Sequence, residues 1–508
     1  MKLRIGSNPW TNSPISRLLR VVAYSTKTLS RPSASPSKPP DTLPIRVSRS
    51  GDPKASIVPV LNQWLEEGKP MKQSMLQIII RQLRRFRRYK HALEVSEYMG
   101  EEMKYNISVG DTAVRLDLIS KVHGVDQAEK YFNSLPEAMR NFQVYGALLN
   151  CYANNNCLEK AEATMQIMRE SGLPANAVSY NVMLNLYHRL GKHDMLDVLM
   201  QEMTDKGIKH DAFTNSIRLN AYVSSSDIEG MEKFLTRIEN DVEITLDWHA
   251  YVISSNAYLK AKLTEKALQM LRRAEQLVPQ GSRKHAYEVF LTVYTNLRRK
   301  DDVYRTWRLY GNLGKFFNSG YLCMISSLVK LDDLDGAERV LAEWESGYSF
   351  FDARIPNVMI SAYCRKGFVE KAEAYTKRLI ERGDIKEPDA FILNSLATGY
   401  QMDGQMAKAV ETLRAAISSS SLGWKPNTGT LAACLKFLEG TNNLEAAKEL
   451  LKLLNVKGHL SIDVYDRLVR TIVDGNVDDS SLARITGGSE APDEESTRIH
   501  GGQNEGIS

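Results

Sequence analysis

Hydrophobic positions along this chain come in pairs of bursts, each at helical spacing, and the paired pattern recurs about every 35 residues from 73 to 475. Across 177–211 the chain reads AVSYNVMLNLYHRLGKHDMLDVLMQEMTDKGIKHD. Tyr180, Met183, Leu184 and Tyr187 fall at i, i+3, i+4 and i+7, and after Gly191 the residues Leu196, Leu199, Met200 and Met203 repeat that spacing. Each burst predicts an amphipathic helix. Gly191 between the two helices and Gly207 behind the second suit helix ends, because glycine adopts positive φ without a steric penalty. Such a hairpin carries two apolar stripes and too little mass to bury both. Hairpins must therefore stack, and the core must run along the array.

Small residues fix the phase of the units. Ala128, Ala161, Ala267, Ala337, Ala372, Ala409 and Ala447 hold one register, where the two helices of a hairpin touch. The units then begin near Gln73, Val109, Phe142, Ala177, Ala212, Trp248, Lys284, Asn318, Ala353, Ala390 and Thr428, and the eleventh ends near residue 461. Residues 57–72, with Val60, Leu61, Trp64 and Leu65 in a stripe, predict an N-terminal cap helix. Residues 462–474 predict a C-terminal one, since the end faces of an array need shielding. The stretch 475–508 is expected to be an acidic disordered tail: 474–508 carries eight acidic residues against Arg484 and Arg498.

The opening Val178-Ser179-Tyr180-Asn181-Val182-Met183-Leu184, the run Ala362-Tyr363-Cys364-Arg365-Lys366-Gly367, and the unit endings Gly207-Ile208-Lys209-His210-Asp211, Glu387-Pro388-Asp389 and Lys425-Pro426-Asn427 resemble the pentatricopeptide repeat family, in its plant organellar class of plain repeats (P class). The likeness spans the whole array. The tetratricopeptide repeat, with its Trp-x2-Leu-Gly-x2-Tyr first helix, is the nearest alternative, and that string is absent. The resemblance implies an all-α fold, a right-handed α-solenoid superhelix of stacked helix-turn-helix repeats, with first helices lining a concave surface.

Composition adds an address. Hydrophobic residues make up 43% and charged residues 25%, and no apolar run reaches the ~18–20 residues needed to cross a bilayer, so no membrane partner is expected. Residues 1–40 hold Lys2, Arg4, Arg17, Arg20, Lys27, Arg31 and Lys38 with no acidic residue, and are rich in Ser and Pro. Residues 1–30 are expected to be a transit peptide, mitochondrial because Ile15 to Val22 can form a short basic amphipathic helix, with the chloroplast as the alternative. Residues 31–56 predict a Pro/Ser-rich linker. The five cysteines lack the spacing of a zinc site or a disulfide framework.

What the resemblance implies for function is the reading of single-stranded RNA, one base per repeat. The reading pair is the fifth residue of a unit and its last. Carried onto this sequence, the pairs are Asn181 with Asp211, Ser216 with Asp247, Asn357 with Asp389, and Asn394 with Asn427. Asn offers a donor and an acceptor to a base edge, and Asp can fix the amide from behind. By the resemblance Asn with Asp favours U, Asn with Asn favours C, and Ser with Asp leans to G. The pairs Gly146/Asn176, Val252/Arg283, Glu288/Phe317, Leu322/Asp352 and Ala432/Ser461 depart from this pattern: Val252 and Leu322 have nothing to hydrogen-bond with, and Glu288 is expected to repel a phosphate backbone.

Basic clusters supply a sequence-independent component. Six cations fall within 81–90, of which Arg81, Arg84, Arg85 and Arg88 are the candidate phosphate contacts, and nine basic against four acidic residues fall within 272–308. No phosphate-binding loop, His-Glu-x-x-His, Gly-x-Ser-x-Gly or deaminase string occurs. The chain is expected to be non-catalytic, with no cofactor, metal or small-molecule substrate. The expected function is the binding of organellar transcripts in their processing, stability or translation. The alternatives are an accessory subunit of the mitochondrial ribosome and a tetratricopeptide-like protein scaffold.

Overall fold

The structure, a computed structural model, describes residues 41–50, 55–173, 176–241, 246–314, 316–348, 350–421 and 424–458. The expected transit peptide, the C-terminal cap helix, the acidic tail and Ser461 lie outside these residues. Among the described residues there are 24 α-helices and no strand. They fall into two compact units, one through Val278 and one from Pro279.

In the first unit α1 (Leu43–Arg49) and α2 (Val58–Glu66) precede six hairpins: α3 (Gln73–Arg85) with α4 (Tyr89–Glu101), α5 (Val109–His123) with α6 (Val125–Ser134), α7 (Phe142–Asn154) with α8 (Leu158–Glu170), α9 (Ala177–Arg189) with α10 (His193–Asp205), α11 (Ala212–Ser225) with α12 (Ile228–Glu239), and α13 (Trp248–Lys260) with α14 (Thr264–Gln276). The second unit holds five: α15 (Arg283–Asn296) with α16 (Lys300–Gly311), α17 (Asn318–Lys330) with α18 (Leu334–Gly347), α19 (Arg354–Arg365) with α20 (Val369–Glu381), α21 (Ala390–Met402) with α22 (Met406–Ser419), and α23 (Thr428–Gly440) with α24 (Leu444–Val456).

The seven phasing alanines are all fully buried. A larger side chain at any of these seven would push that hairpin's two helices apart, and the three hairpins that carry Leu196, Met231 and Val303 at the same register bury the larger side chain fully instead. The turn between helices needs one residue at positive φ. Gly191 supplies it at 70°, but Asn156, Ser226, Lys262, Arg298, Asp332 and Asn442 do the same job at 54–64°. Glycine therefore marks only some of the turns in the sequence.

The stretch expected to be linker contains α1. Leu43 and Val47, one turn apart, are at most 2% exposed and join a core with Ile57, Leu61 and Trp64. Pro44 stands in the first turn, where a missing N–H costs nothing. The Pro and Ser content hid a two-residue apolar stripe. Residues 57–72 carry one helix, α2.

A repeated clamp joins successive hairpins. The first-helix Tyr258 donates to Glu232 of the preceding hairpin (2.9 Å), and Lys266 ion-pairs with the same carboxylate (2.7 Å) while lying over the Tyr258 ring. Tyr187 donates in the same way to Glu162. Lys160 with Glu129 and Tyr152, and Lys371 with Glu338 and Tyr363, repeat the ion pair and the ring contact. Burial and the neighbouring carboxylate push the Tyr258 hydroxyl pKa well up, so it stays a donor.

Candidate nucleic-acid interface

Within each unit the first helices of successive hairpins run side by side: α5, α7, α9, α11 and α13 in the first, and α15, α17, α19, α21 and α23 in the second. Second helices stand further apart, α22 and α24 excepted. The first helices thus occupy the tighter side of the stack, and the surface they leave uncovered is the candidate interface.

Six seams between hairpins are closed by an Asp or Asn as the last residue of a repeat, which is also the N-cap of the next first helix. Asn141, Asn176, Asp211, Asp247, Asp389 and Asn427 all accept backbone N–H bonds there, for example Thr214 N to Asp211 (2.8 Å) and Ile392 N to Asp389 (2.9 Å). Short polar side chains suit this position because the first N–H groups of a helix have no partner within it. The residue that the resemblance assigns to base reading is therefore also a helix cap.

The fold brings three of the four expected pairs together. Asn181 Nδ2 donates to both Asp211 carboxylate oxygens (3.1 and 3.2 Å), and its Oδ1 accepts from Thr214 Oγ1 (2.8 Å). Asn181 is 9% exposed, so its amide is oriented from behind and lies deep in the seam. Asn357 Nδ2 reaches Asp389 at 3.4 Å, and its Oδ1 is buried with no partner among the described residues. Asn394 Oδ1 accepts from the Asn427 backbone N–H (3.0 Å), not from its side chain. Ser216 and Asp247 share no hydrogen bond among the described residues, because Asp247 is taken up by Ala250 N and His249 Nδ1.

Thr214 was not singled out from the sequence, yet it is fully buried and bonds both Asn181 and Asp211 (3.0 Å). Thr430, three residues after the cap Asn427, likewise meets Thr398 (2.8 Å). The signal was available as threonine three residues past an Asp or Asn that ends a repeat.

Seams with departing pairs are built differently. Val252 is 6% exposed. Glu288 does not face a backbone: its carboxylate accepts from Tyr310 (2.9 Å) and Ser319 (2.7 Å), which turns it into the packing. Phe317 is exposed, with Lys284 over its ring. Asp352 is held by Arg354.

The candidate phosphate contacts divide. Arg81 and Arg85 are exposed on α3. Arg84 is ion-paired with Asp117 (2.9 Å). Arg88 donates to the carbonyls of Val47 and Ser50, at the end of α1, and to His91 Nδ1; burial pulls its pKa down. Arg84 is committed to the Asp117 carboxylate of α5, and Arg88 to α1, invisible in the sequence, whose last carbonyls need donors. Arg273, Lys300 and Arg305 of the second basic stretch are likewise paired with Glu239, Asp333 and Asp302.

On α9, burial first, and then the His193 and Arg189 side chains, hold His188 down at about 4. Cys151, Cys364 and Cys434 are buried, and burial pushes the Cys364 and Cys434 thiols up to about 12. Among the described residues no group of three His, Cys, Asp or Glu is placed to hold a metal ion, and no helix is long and apolar enough to cross a membrane.

Comparison with known proteins gives the family. PPR repeat descriptions match residues 175–224, 320–347 and 355–384, and a pentatricopeptide repeat domain matches 140–189. A mitochondrial pentatricopeptide repeat-containing protein of Arabidopsis thaliana is 48% identical over 434 residues, covering 85% of this chain and 88% of its own length. The large ribosomal subunit protein mL101 (rPPR4) of the same plant is 37% identical, with 84% and 87% covered. The crystal structure of the maize pentatricopeptide repeat protein PPR10 aligns with a TM-score of 0.39 at 16% identity, over 85% of this chain and 66% of that one. With its eleven stacked hairpins and full-length relatives of this kind, the chain belongs to the pentatricopeptide repeat family.

Proposed function

We propose that this protein binds single-stranded RNA along its first helices and, in the mitochondrion, holds a segment of an organellar transcript during its processing, stabilisation or translation. The observation that carries this reading is the seam geometry at Asn181–Asp211, Asn357–Asp389 and Asn394–Asn427, where a repeat-ending cap orients the amide of the preceding first helix. A fixed amide offers one donor–acceptor pattern to a base edge, and such edges are free only in unpaired strands. By the family likeness the first two seams favour U and the third C. The protein acts by occupancy: a covered strand neither folds on itself nor admits a nuclease. Several relatives carry mitochondrial names, which supports that address over the chloroplast.

A second reading, an accessory subunit of the mitochondrial ribosome, is favoured by the relative mL101. It suits an array in which most seams lack a complete reading pair. Crosslinking tagged protein to RNA in the organelle, with sedimentation of ribosomes in parallel, separates the two. A few discrete transcript sites support the first reading. Quantitative co-migration with one ribosomal subunit supports the second. Changing Asn357 and Asn394 together to Ala is expected to shift base preference under the first and leave ribosome association intact under the second.

A further inference from the structure

One row of side chains on the first helices takes no part in the reading pairs. Four residues after the fifth position stand Asn150, Asn185, Asn220 and Asn256, in four successive repeats of the first unit. At about 100° per residue, Asn185 lies roughly 150° from the middle of the buried stripe Tyr180, Met183, Leu184 and Tyr187. Asn181 lies closer to that stripe, on the flank that meets the next hairpin. The asparagine row therefore faces outward, along the centre line of the surface the first helices leave open. All four are half-buried. Asn150, Asn185 and Asn256 make no side-chain hydrogen bond among the described residues, and none of their amide atoms is buried and unpaired, so the amides reach solvent. Asn220 Nδ2 donates to the Ser216 carbonyl, leaving its own Oδ1 open.

The row is indifferent to the reading pairs. Asn185 follows Asn181, where the pair is complete, and Asn256 follows buried Val252, where nothing can be read. Asn150 follows Gly146. In the second unit the same register holds Thr292, Ser326, Ser361, Thr398 and Lys436, and the Thr292 and Thr398 hydroxyls are turned onto their own helix carbonyls (3.3 and 2.9 Å). Arg81 and Asp117 hold the register in the first two repeats, so solvent-facing amides there belong to the four successive repeats from α7 to α13. A neutral amide gains nothing from counterion release, so it is poorly matched to a phosphate alone. A group that both donates and accepts matches it better, and the ribose 2′-hydroxyl is such a group, present once per nucleotide.

We propose that Asn150, Asn185, Asn220 and Asn256 form a ladder that hydrogen-bonds the ribose 2′-hydroxyls of a bound single strand, one rung per repeat. The ladder rests on the reading above that this face binds RNA. It gives the first unit affinity that does not depend on base sequence, and it distinguishes RNA from DNA where the reading pairs cannot.

The test uses the full-length chain and fluorescently labelled uridine, cytidine and 2′-deoxyuridine oligomers long enough to span the array. Changing all four residues to Ala is expected to weaken both RNA oligomers equally, by about tenfold or more, and to leave the deoxyuridine oligomer and the salt slope unchanged. The Asn185→Ala/Asn256→Ala double variant, checked by thermal melt, keeps the test valid if the quadruple variant unfolds, with a smaller loss in the same pattern. Unchanged RNA affinity, an equal loss for RNA and DNA, or a changed preference between uridine and cytidine each overturns the ladder alone. Wild-type protein that binds no RNA overturns the underlying reading, and the ladder with it.

Discussion

Four seams of the first unit, those leading into α7, α9, α11 and α13, are closed by Asn141, Asn176, Asp211 and Asp247, each capping the helix that follows. The seams leading into α17 and α19 carry Phe317 and Asp352 at that register: Phe317 has no capping group, and Asp352 stands one residue before the N-cap Ala353, its carboxylate accepting from the Arg354 backbone N–H and guanidinium. Aromatic rings take over there. Trp307 stacks on Phe316 at 4.2 Å with Tyr310 and Tyr321 around them, and Trp344 stacks on Tyr348 at 4.8 Å with Phe351 against both. Stacking of hairpins requires that a seam be filled, but not that it be polar. Where the residue facing the cap is asparagine, as at Asn181, a cap-closed seam holds its amide oriented for a ligand; a ring-closed seam buries the same space with apolar surface. Stability and recognition are therefore separable along one array.

Breaking a ring-closed seam should have the largest effect on stability. Trp344 is 1% exposed and donates to Asn318 (2.9 Å). Trp344→Ala is expected to cost about 3–5 kcal/mol in denaturant unfolding while leaving base preference untouched. A changed preference would mean that ring-closed seams also take part in recognition.

Acid should weaken the first unit. His188 sits far below its ordinary value in the folded chain, so the unfolded chain takes up its proton first as pH falls. Stability conferred by neutral His188 is complete above pH 6.5 and is lost progressively down to about 4. For a half-buried group the loss is on the order of 2 kcal/mol. Urea midpoints measured between pH 7 and 4.5 should fall less steeply in His188→Gln than in the natural chain.

At a cap-closed seam, Asp211→Ala removes the cap and leaves the Asn181 amide without its main partner. The expected loss is about 1–2 kcal/mol, together with loss of the uridine preference at that repeat. Asp211→Asn keeps a cap and should move the preference toward cytidine with little change in stability. Equal base selectivity in all three proteins, compared by RNA binding selections, would detach the seam from recognition.

The smallest effect belongs to Arg81 and Arg85. Changing both to Ala should lower the salt slope of RNA binding by about 1.4 and leave sequence preference as it was. Arg88→Ala should instead lower stability, since it strips α1 of the donor to its last carbonyls.

Much of this was legible in the sequence. Nine of the eleven predicted repeat starts coincide with the first residue of a helix, and the two others, near Lys284 and Ala353, differ by one residue. Periodicity of apolar residues fixes such boundaries because every hairpin must present the same stripes to its neighbours. The Asp or Asn ending a repeat stood out as a member of a reading pair, but its second role as a helix cap emerges only with the fold. What could not be read was which charges were already in use. Arg88 looks like Arg85 until α1 is known to lie against it, and Glu288 looks like a repulsive group until Tyr310 and Ser319 are seen to hold it. Thr214 looks like any residue in a first turn. These assignments depend on contacts between residues 22 to 41 positions apart, which local spacing does not encode.

The central claim is that the open surface of the first helices is where RNA lies. Ultraviolet crosslinking of a 4-thiouridine RNA oligomer to the full-length protein, with the attached peptides identified by mass spectrometry, tests it most directly. The crosslinks are expected on peptides of α9, α11, α19 and α21, which carry Asn181, Asn185, Ser216, Asn357 and Asn394. Crosslinks confined to second helices such as α10, α12 and α20 would contradict it.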